Sequence, residues 1–204
     1  HSGRPQKVIR KAMRVLDKTK DSNLVKVVVL ENRWLDHFPP DYRNRVSIVH
    51  NAPRPLFASN PRSNENLTFG IFCRPVKHKR HDIALEALKA LRKKGIQVKM
   101  IATGNPFDDP PNWVEQHGWV STNDLRIIME KCRFLLQTSQ SEGSSMSVIE
   151  SISMGLLPIV SEASSETVGD HGVVVKGEDP LEWASVIERE IIRIQDNKNG
   201  AKEL

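Results

Sequence analysis

The stretch Ser141-Glu142-Gly143-Ser144-Ser145-Met146-Ser147-Val148-Ile149-Glu150 sets two carboxylates eight positions apart around a turn of small residues. It follows an apolar run, Phe134 to Gln137, and opens onto a helical pattern. A strand, a small-residue turn and a helix start together suit an anion, because the first N–H groups of a helix lack intrahelical partners and its dipole end is positive. Glu142 then stands in the turn above the anion, and Glu150 about two turns into the helix. A carboxylate so close to an anion is useful where it meets hydroxyl groups, and sugars and ribose supply those. On spacing alone, a pair of glutamates eight apart is ordinary solvated surface charge.

A second stretch, Arg74-Pro75-Val76-Lys77-His78-Lys79-Arg80-His81, gathers the fixed positive charges of Arg74, Lys77, Lys79 and Arg80 between a strand-like segment and a helical one. Each charge-assisted contact to a phosphate oxygen contributes about 1.5–3 kcal/mol net. By itself the stretch also reads as a solvated basic loop.

Elements that would hold these stretches can be read from periodicity. Pro5 to Lys20 is amphipathic with helical spacing, Asp21-Ser22-Asn23 breaks it, and Leu24 to Leu30 is a β-branched run. A polar, aromatic, proline-interrupted stretch, Glu31 to Arg45, leads to a short strand, Val46 to Val49. Pro, Asn and Ser then dominate between Asn51 and Asn66, which reads as a linker. From Leu67 strands and helices alternate. Strands are expected at Leu67 to Cys73, Gln97 to Ala102, His117 to Val120, Phe134 to Gln137, Leu157 to Ser161 and Val173 to Val175. Helices are expected at His81 to Lys94, ending at Gly95; from a Thr122 or Asn123 cap to Lys131; at Ser145 to Met154; and from the Asp179 cap with Pro180 through Ile194. Such alternation predicts a Rossmann-like, doubly wound parallel α/β sheet, with ligands beyond the carboxyl ends of the strands. The domain reading is 1–50, a helix and strand ending one domain; 51–66, the linker; 67–196, the α/β domain; and 197–204, a polar tail.

Composition narrows the classes. The 204 residues carry 30 Lys and Arg against 25 Asp and Glu, net +5, which permits attraction to phosphates, nucleic acid or an anionic membrane without selecting among them. No apolar run reaches the roughly 18 residues of a spanning helix, and His1-Ser2-Gly3-Arg4 lacks a signal-peptide core, so a soluble, cytoplasmic chain is expected. The start without Met suggests that residues of a longer protein, or a cleaved tag, precede it. Cys73 and Cys132 read as buried free thiols. His78 and His81 lie beside lysines, which disfavours a cation there, and His50, His117 and His171 stand singly near strand or loop positions. The many serines form no Gly-x-Ser-x-Gly elbow, so a hydrolase nucleophile is unsupported. Trp34, Trp113, Trp119 and Trp183 read as core or rim packing, with Trp34 able to line an interdomain cleft.

The ordered set of residues resembles the carboxy-terminal domain of the family 4 glycosyltransferases, over about Val46 to Ile194. The resemblance is carried by Val49-His50-Asn51, Arg74, Lys79, Asp82, Glu86-Ala87, Glu142-Gly143 through Glu150, Ser153-Met154-Gly155-Leu156-Leu157-Pro158-Ile159-Val160, Glu166, Gly172 and Asp179-Pro180. It implies the second half of a GT-B fold, preceded by the end of an acceptor domain. It further implies transfer of a sugar from a nucleotide-sugar donor, with retention of configuration, to a glycan, lipid-linked or other acceptor. By the same resemblance Arg74 and Lys79 bind the donor diphosphate with the turn Ser144, Ser145 and Met146. Glu142 is the catalytic carboxylate and meets the sugar beside Gly143, Glu150 holds the ribose, and the backbone of Gly118, Trp119 and Val120 frames the base. No metal and no other cofactor are expected; Asp108-Asp109 is not the spaced Asp-x-Asp of metal-dependent transferases.

This sequence departs from the family pattern at three places: Cys73 and Arg80 stand where glycines flank the basic motif, and Ser144-Ser145 replaces Phe-Gly. Arg80 is expected either to crowd the diphosphate or to add a contact to it. Two other readings belong beside the transferase: a non-catalytic basic α/β binding module, and a nucleotide-sugar 2-epimerase of the same architecture. No aromatic interleaving accompanies the basic run, so no nucleic-acid partner is expected. The partners implied are the donor, the acceptor and a largely missing amino-terminal domain, with peripheral membrane association open to the full-length protein. The chain alone is therefore expected to bind donor and turn over little.

Overall fold

Short strand-like runs and amphipathic stretches alternate along this sequence, and the computed structural model shows the strands paired in parallel with their neighbours. It describes residues 3–20, 25–57 and 66–200. His1, Ser2, the helix-breaking Asp21-Ser22-Asn23, the first residue of the Leu24 to Leu30 run, most of the Ser59 to Asn66 tract and the last four residues of the polar tail lie outside the described residues. Two units divide the chain, His1–Ala52 and Pro53–Leu204.

In the first unit, helix α1 (Gly3–Lys18) buries Ile9 and Leu16 with Val29 of strand β1 (Val27–Val29) and with Phe38. The stretch before strand β2 (Val46–Ile48) is not plain loop. It makes a 3-10 turn, Asn32–His37, and a short helix α2 (Pro40–Arg43), with Pro40 at the first helical position. Strands β1 and β2 pair in parallel, Val27 opposite Val46. The Arg45 guanidinium donates to the carbonyls of Leu16 and Val25 at 2.9 and 3.0 Å, satisfying acceptors at the end of α1 and before β1.

The second unit holds strands β3 (Thr68–Ile71), β4 (Lys99–Thr103), β5 (Val114–His117), β6 (Phe134–Gln137), β7 (Leu157–Ser161) and β8 (Val173–Val175). They form one parallel sheet in the order β5-β4-β3-β6-β7-β8. This is the Rossmann order: the chain winds outward from β3 in one direction, then returns to lay β6 on the other side of β3. Helices α3 (His81–Lys93) and α7 (Pro180–Gly200) pack on one core, which contains Ile83, Leu88, Leu91, Trp183 and Ile187. Helices α4 (Thr122–Glu130), α5 (Met146–Ser153) and α6 (Ser165–Val168) border the other, through Ile128, Met129, Val148 and Val168. The doubly wound α/β reading of the sequence is therefore correct. Among the described residues no helix is long and apolar enough to cross a membrane.

Local details shift the expected boundaries. Strand β5 starts at Val114, so Gly118, Trp119 and Val120 form the loop after it rather than the strand itself. Ser121, not Thr122 or Asn123, caps α4, its hydroxyl accepting from the Asp124 N–H at 3.2 Å. Helix α3 ends as expected near Gly95, at φ +87. Asp179 caps α7 through the Leu181 N–H at 3.0 Å, and that helix continues to Gly200, past the expected domain end at 196.

The described part of the expected linker is folded. Pro55–Phe57 forms a 3-10 turn, and Phe57, fully buried, packs among Phe72, Ile101, Ile128 and Met129 of the second unit. One aromatic anchor in an otherwise Pro-rich stretch is enough to dock it, because burying a phenyl ring is among the largest single gains available. Phe57→Ala should lower the stability of this unit by about 3–5 kcal/mol, read from urea unfolding followed by circular dichroism. An unchanged midpoint would show that the segment is not part of the fold.

Candidate functional site

In a sheet of this order the crevice opens at the carboxyl ends of β3 and β6, where the winding reverses. Both stretches singled out by composition leave the sheet there: Arg74 to Arg80 follows β3, and Ser141 to Ser145 follows β6. The second segment holds the first by its backbone. Thr138 donates its hydroxyl to the carbonyls of Arg80 at 2.7 Å and Lys79 at 3.1 Å, and the Gln140 N–H donates to the His78 carbonyl at 2.8 Å. The His78 and Lys79 carbonyls belong to a 3-10 turn, Lys77–Lys79, and the Arg80 carbonyl, which also accepts the Ile83 N–H at 3.1 Å, stands at the start of α3.

The clamp brings Lys79 and Glu142 into contact. Lys79 Nζ lies 2.5 Å from Glu142 Oε1, with side chains 10% and 9% exposed. An ammonium has three donors, so one bond to Glu142 leaves geometry for phosphate oxygens as well. Ser145 stands at the N-cap position of α5, buried and without a side-chain cap bond, Met146 is the first residue of the helix, and Ser144 and Gly143 complete the turn before it. Arg74 is exposed on the loop after β3. That loop packs tightly: a Cβ on Gly104, after β4, would lie 2.9 Å from Pro75 Cδ. Gly104 N–H in turn donates to the His117 carbonyl at 2.7 Å, which ties the loops after β3, β4 and β5 together.

Glu150 stands one turn into α5, not two, and is 2% exposed. Its carboxylate is engaged by a residue that pattern reading left in the linker: Arg54 Nε donates to Glu150 Oε1 at 2.5 Å. Arg54 also donates to the Thr122 hydroxyl at 2.7 Å and lies over the Phe57 ring at 4.8 Å. Thr122 starts α4, directly after the Gly118, Trp119 and Val120 loop, so Arg54 connects the residue expected at the ribose with the helix that follows the loop expected at the base. Trp119 is 78% exposed, so packing does not explain it.

Arg80 neither crowds the crevice nor adds a free cation to it. Its backbone is left-handed, φ 49, ψ 46, which explains why a glycine suits this place in the resembled pattern. Its guanidinium is divided between Asp82, at 2.9 and 3.0 Å, and Glu178, which also accepts from Gln140 at 3.1 Å. The bonds from Arg80 hold the Asp82 carboxyl below its ordinary range.

Cys73 and His81 meet beside this network, sulfur to Nε2 at 3.1 Å. Burial pushes the Cys73 thiol up to about 12, against the smaller pull of Lys79. Burial, and then the charge of Lys79, bring His81 down to about 4. Near neutral pH the pair is a thiol and a neutral imidazole, which removes Cys73 as a nucleophile. Neither Cys73 nor Cys132 is in a disulfide. Among the described residues no cluster of His, Cys, Asp or Glu is placed to hold a metal ion.

Three contributors were missed by pattern reading. Gln137, Ser147 and Arg54 line the network, and the only signal for them is a polar residue closing the apolar run Phe134 to Leu136, a serine inside a helix start, and a charge in a Pro-rich segment.

Comparison with known proteins gives a family and a fold. The family model described as Glycosyl transferases group 1 matches residues 66–191. No curated protein matches the sequence. Among solved structures, Anabaena Alr3699/HepE in complex with UDP-glucose is similar with a TM-score of 0.73 at 16% identity, over 93% of this chain and 59% of that one. A glycosyltransferase from Rickettsia africae ESF-5 is similar at 0.71 and 17% identity, over 84% and 54%. TarM of S. aureus gives 0.71 and 17%, over 88% and 39%. At these identities the likeness is one of fold, and the chain spans less than two thirds of the length of each of these structures.

The buried imidazole makes stability depend on pH. As pH falls below 6.5 the unfolded chain protonates His81 first, while the folded chain resists until about 4, so stability present above 6.5 is lost across that window. The loss from this group is about 3 kcal/mol. Urea unfolding of the wild type and of His81→Gln at pH 7 and pH 4.5 isolates it, since other groups titrate in both proteins. The stability difference between them should narrow or reverse at the lower pH; a constant difference would contradict a buried neutral histidine.

Proposed function

The chain belongs to the group 1 glycosyl transferases, and from that premise we propose that its second unit is the nucleotide-sugar-binding domain of a retaining, family 4-like GT-B enzyme. The observation that carries this reading is the contact of Lys79 with Glu142 at the switch point between β3 and β6. In a nucleotide sugar the distal phosphate is bonded directly to the sugar. A site for it needs a phosphate-binding cation and a hydroxyl-accepting carboxylate side by side, and an N–O separation of 2.5 Å supplies that adjacency.

Each group then has a role. Arg74 and Lys79, with the N–H groups of the Ser144, Ser145 and Met146 turn, bind the diphosphate and stabilise the negative charge that grows on it as the glycosidic bond breaks. This assigns the leaving-group charge to cations of the chain, without a divalent ion. Glu142 accepts from sugar hydroxyls beside Gly143 and lies close to the positive charge that develops on the ring. Glu150, oriented by Arg54, accepts from the ribose, and the Gly118, Trp119 and Val120 loop frames the base. One neighbour of the same fold, Anabaena Alr3699/HepE, is solved with UDP-glucose and again with UDP, which supports a nucleoside diphosphate here. The acceptor proposed is a glycan, a lipid-linked molecule or another acceptor, received in the cleft that such enzymes form between two domains. The 204-residue chain is proposed to bind donor while transferring little by itself, as a catalyst in the cytoplasm only within the longer protein.

Calorimetric titration with UDP, GDP and ADP, against inorganic pyrophosphate, tests the reading. One nucleotide should bind with a dissociation constant on the order of micromolar to millimolar. Arg74→Ala and Lys79→Ala should each weaken it by about tenfold or more, the equivalent of one charge-assisted bond. Binding no better than pyrophosphate, or full binding by both variants, would refute the donor site.

A further inference from the structure

Gln137 closes an apolar strand at a position where leucine or valine would fill the space without any polar cost. It is 2% exposed. Burying an amide is unfavourable unless its donors and acceptor are used, so its partners deserve the question of what they achieve. Its Nε2 donates to Glu142 Oε1 and lies 3.4 Å from Ser139 Oγ. Its Oε1 accepts from Ser147 Oγ at 3.0 Å, and Ser147 Oγ lies 3.1 Å from Ser145 Oγ.

This arrangement fixes which way the amide points. A carboxylate only accepts, so the group facing Glu142 has to be the amide nitrogen, and the carbonyl then turns to the Ser147 hydroxyl. Glu142 Oε1 therefore receives Lys79 from one side and Gln137 from the other. Two donors on one oxygen set both the position and the plane of the carboxylate. Lys79 does so from the flexible end of a four-carbon chain, on a loop. Gln137 does so from the last residue of a central strand, paired with Val160 of β7, and Ser147 holds its carbonyl from the first turn of α5.

We infer that Gln137 is a positioning residue: it holds the Glu142 carboxylate in the orientation that reads the donor sugar, without itself touching the donor. The inference rests on the reading of Glu142 as the sugar-facing carboxylate. It predicts a selective effect. Phosphate and nucleoside contacts run through Arg74, Lys79 and Glu150 and stay intact, while discrimination between a nucleoside diphosphate and its sugar conjugate is lost.

The test measures two dissociation constants on the 204-residue chain, for UDP and for UDP-glucose, or for GDP with GDP-mannose or ADP with ADP-glucose if that base binds. Their ratio is compared in wild type, Q137M, E142Q and the double variant. Q137M keeps the side-chain length and removes the amide. It should leave the diphosphate constant within about twofold and weaken the sugar conjugate by about three- to tenfold, the scale of a single hydrogen bond. In the E142Q background the Q137M change should have no further effect on the ratio, because Gln137 acts through Glu142. Equal weakening of both ligands, or an additive effect in the double variant, would overturn the positioning role in favour of a structural one. An unchanged ratio in Q137M beside a changed ratio in E142Q would overturn it alone. An unchanged ratio in E142Q would overturn the reading of Glu142 and the positioning role together. Should Q137M fail to fold, Ser147→Ala, which releases the amide rotation, should shift the ratio in the same direction by a smaller factor; no shift would likewise refute the proposal.

Discussion

An ammonium and a carboxylate held 2.5 Å apart, with nine-tenths of each side chain out of water, impose demands on everything around them. Taking the two charges out of water costs several kcal/mol each, and their attraction repays it only if geometry is fixed and the remaining polar atoms are satisfied. The surroundings of Lys79 and Glu142 meet those demands. Thr138 and Gln140 hold the carbonyls of the turn that carries Lys79, and Gln137 holds the carboxylate. Ser161, at the end of β7, donates to the Ser139 carbonyl at 2.5 Å and so extends the bracing to the next strand. A well-packed hydrophobic pair of similar volume often gives comparable stability with fewer partners, so stability alone does not account for the ion pair.

Topology explains why these groups meet at all. Lys79 and Glu142 are far apart in sequence, and only the reversal of winding between β3 and β6 lays their loops side by side. The two cores on opposite faces of the sheet hold that reversal in place: α3 and α7 seal one face, and α4, α5 and Phe57 the other. At this edge Arg80 bridges Asp82 and Glu178, one cation between two carboxylates, within the stretch that matches the group 1 glycosyl transferases.

Much of this was legible from periodicity. The short apolar runs around Ile71, Ala102, Leu136 and Val160 announced strands, and Gly95 and Asp179 punctuated helices through local backbone chemistry that a sequence displays directly. Arg74, Lys79, Glu142 and Glu150 stood out through their order and spacing in the resembled family pattern, since on its own each stretch reads as solvated charge. What stayed hidden depended on contacts distant in sequence. Nothing local says that Arg54 reaches Glu150, that Phe57 docks a Pro-rich segment, or that the guanidinium of Arg80 turns toward Glu178. Strand β5 was displaced because its polar residues Glu115 and Gln116, at a sheet edge, mimic a loop, whereas Gly118 to Val120 carry the apolar signal. Gln137 was read as part of an apolar strand, and its role follows only from knowing what lies across the crevice.

The most direct measurement is a crystal structure of the chain with the nucleotide sugar that it binds. The account predicts the diphosphate at the carboxyl ends of β3 and β6, with an oxygen about 3 Å from Lys79 Nζ and a sugar hydroxyl on Glu142. A donor bound at another face of the sheet, with the Lys79–Glu142 contact untouched, would contradict it.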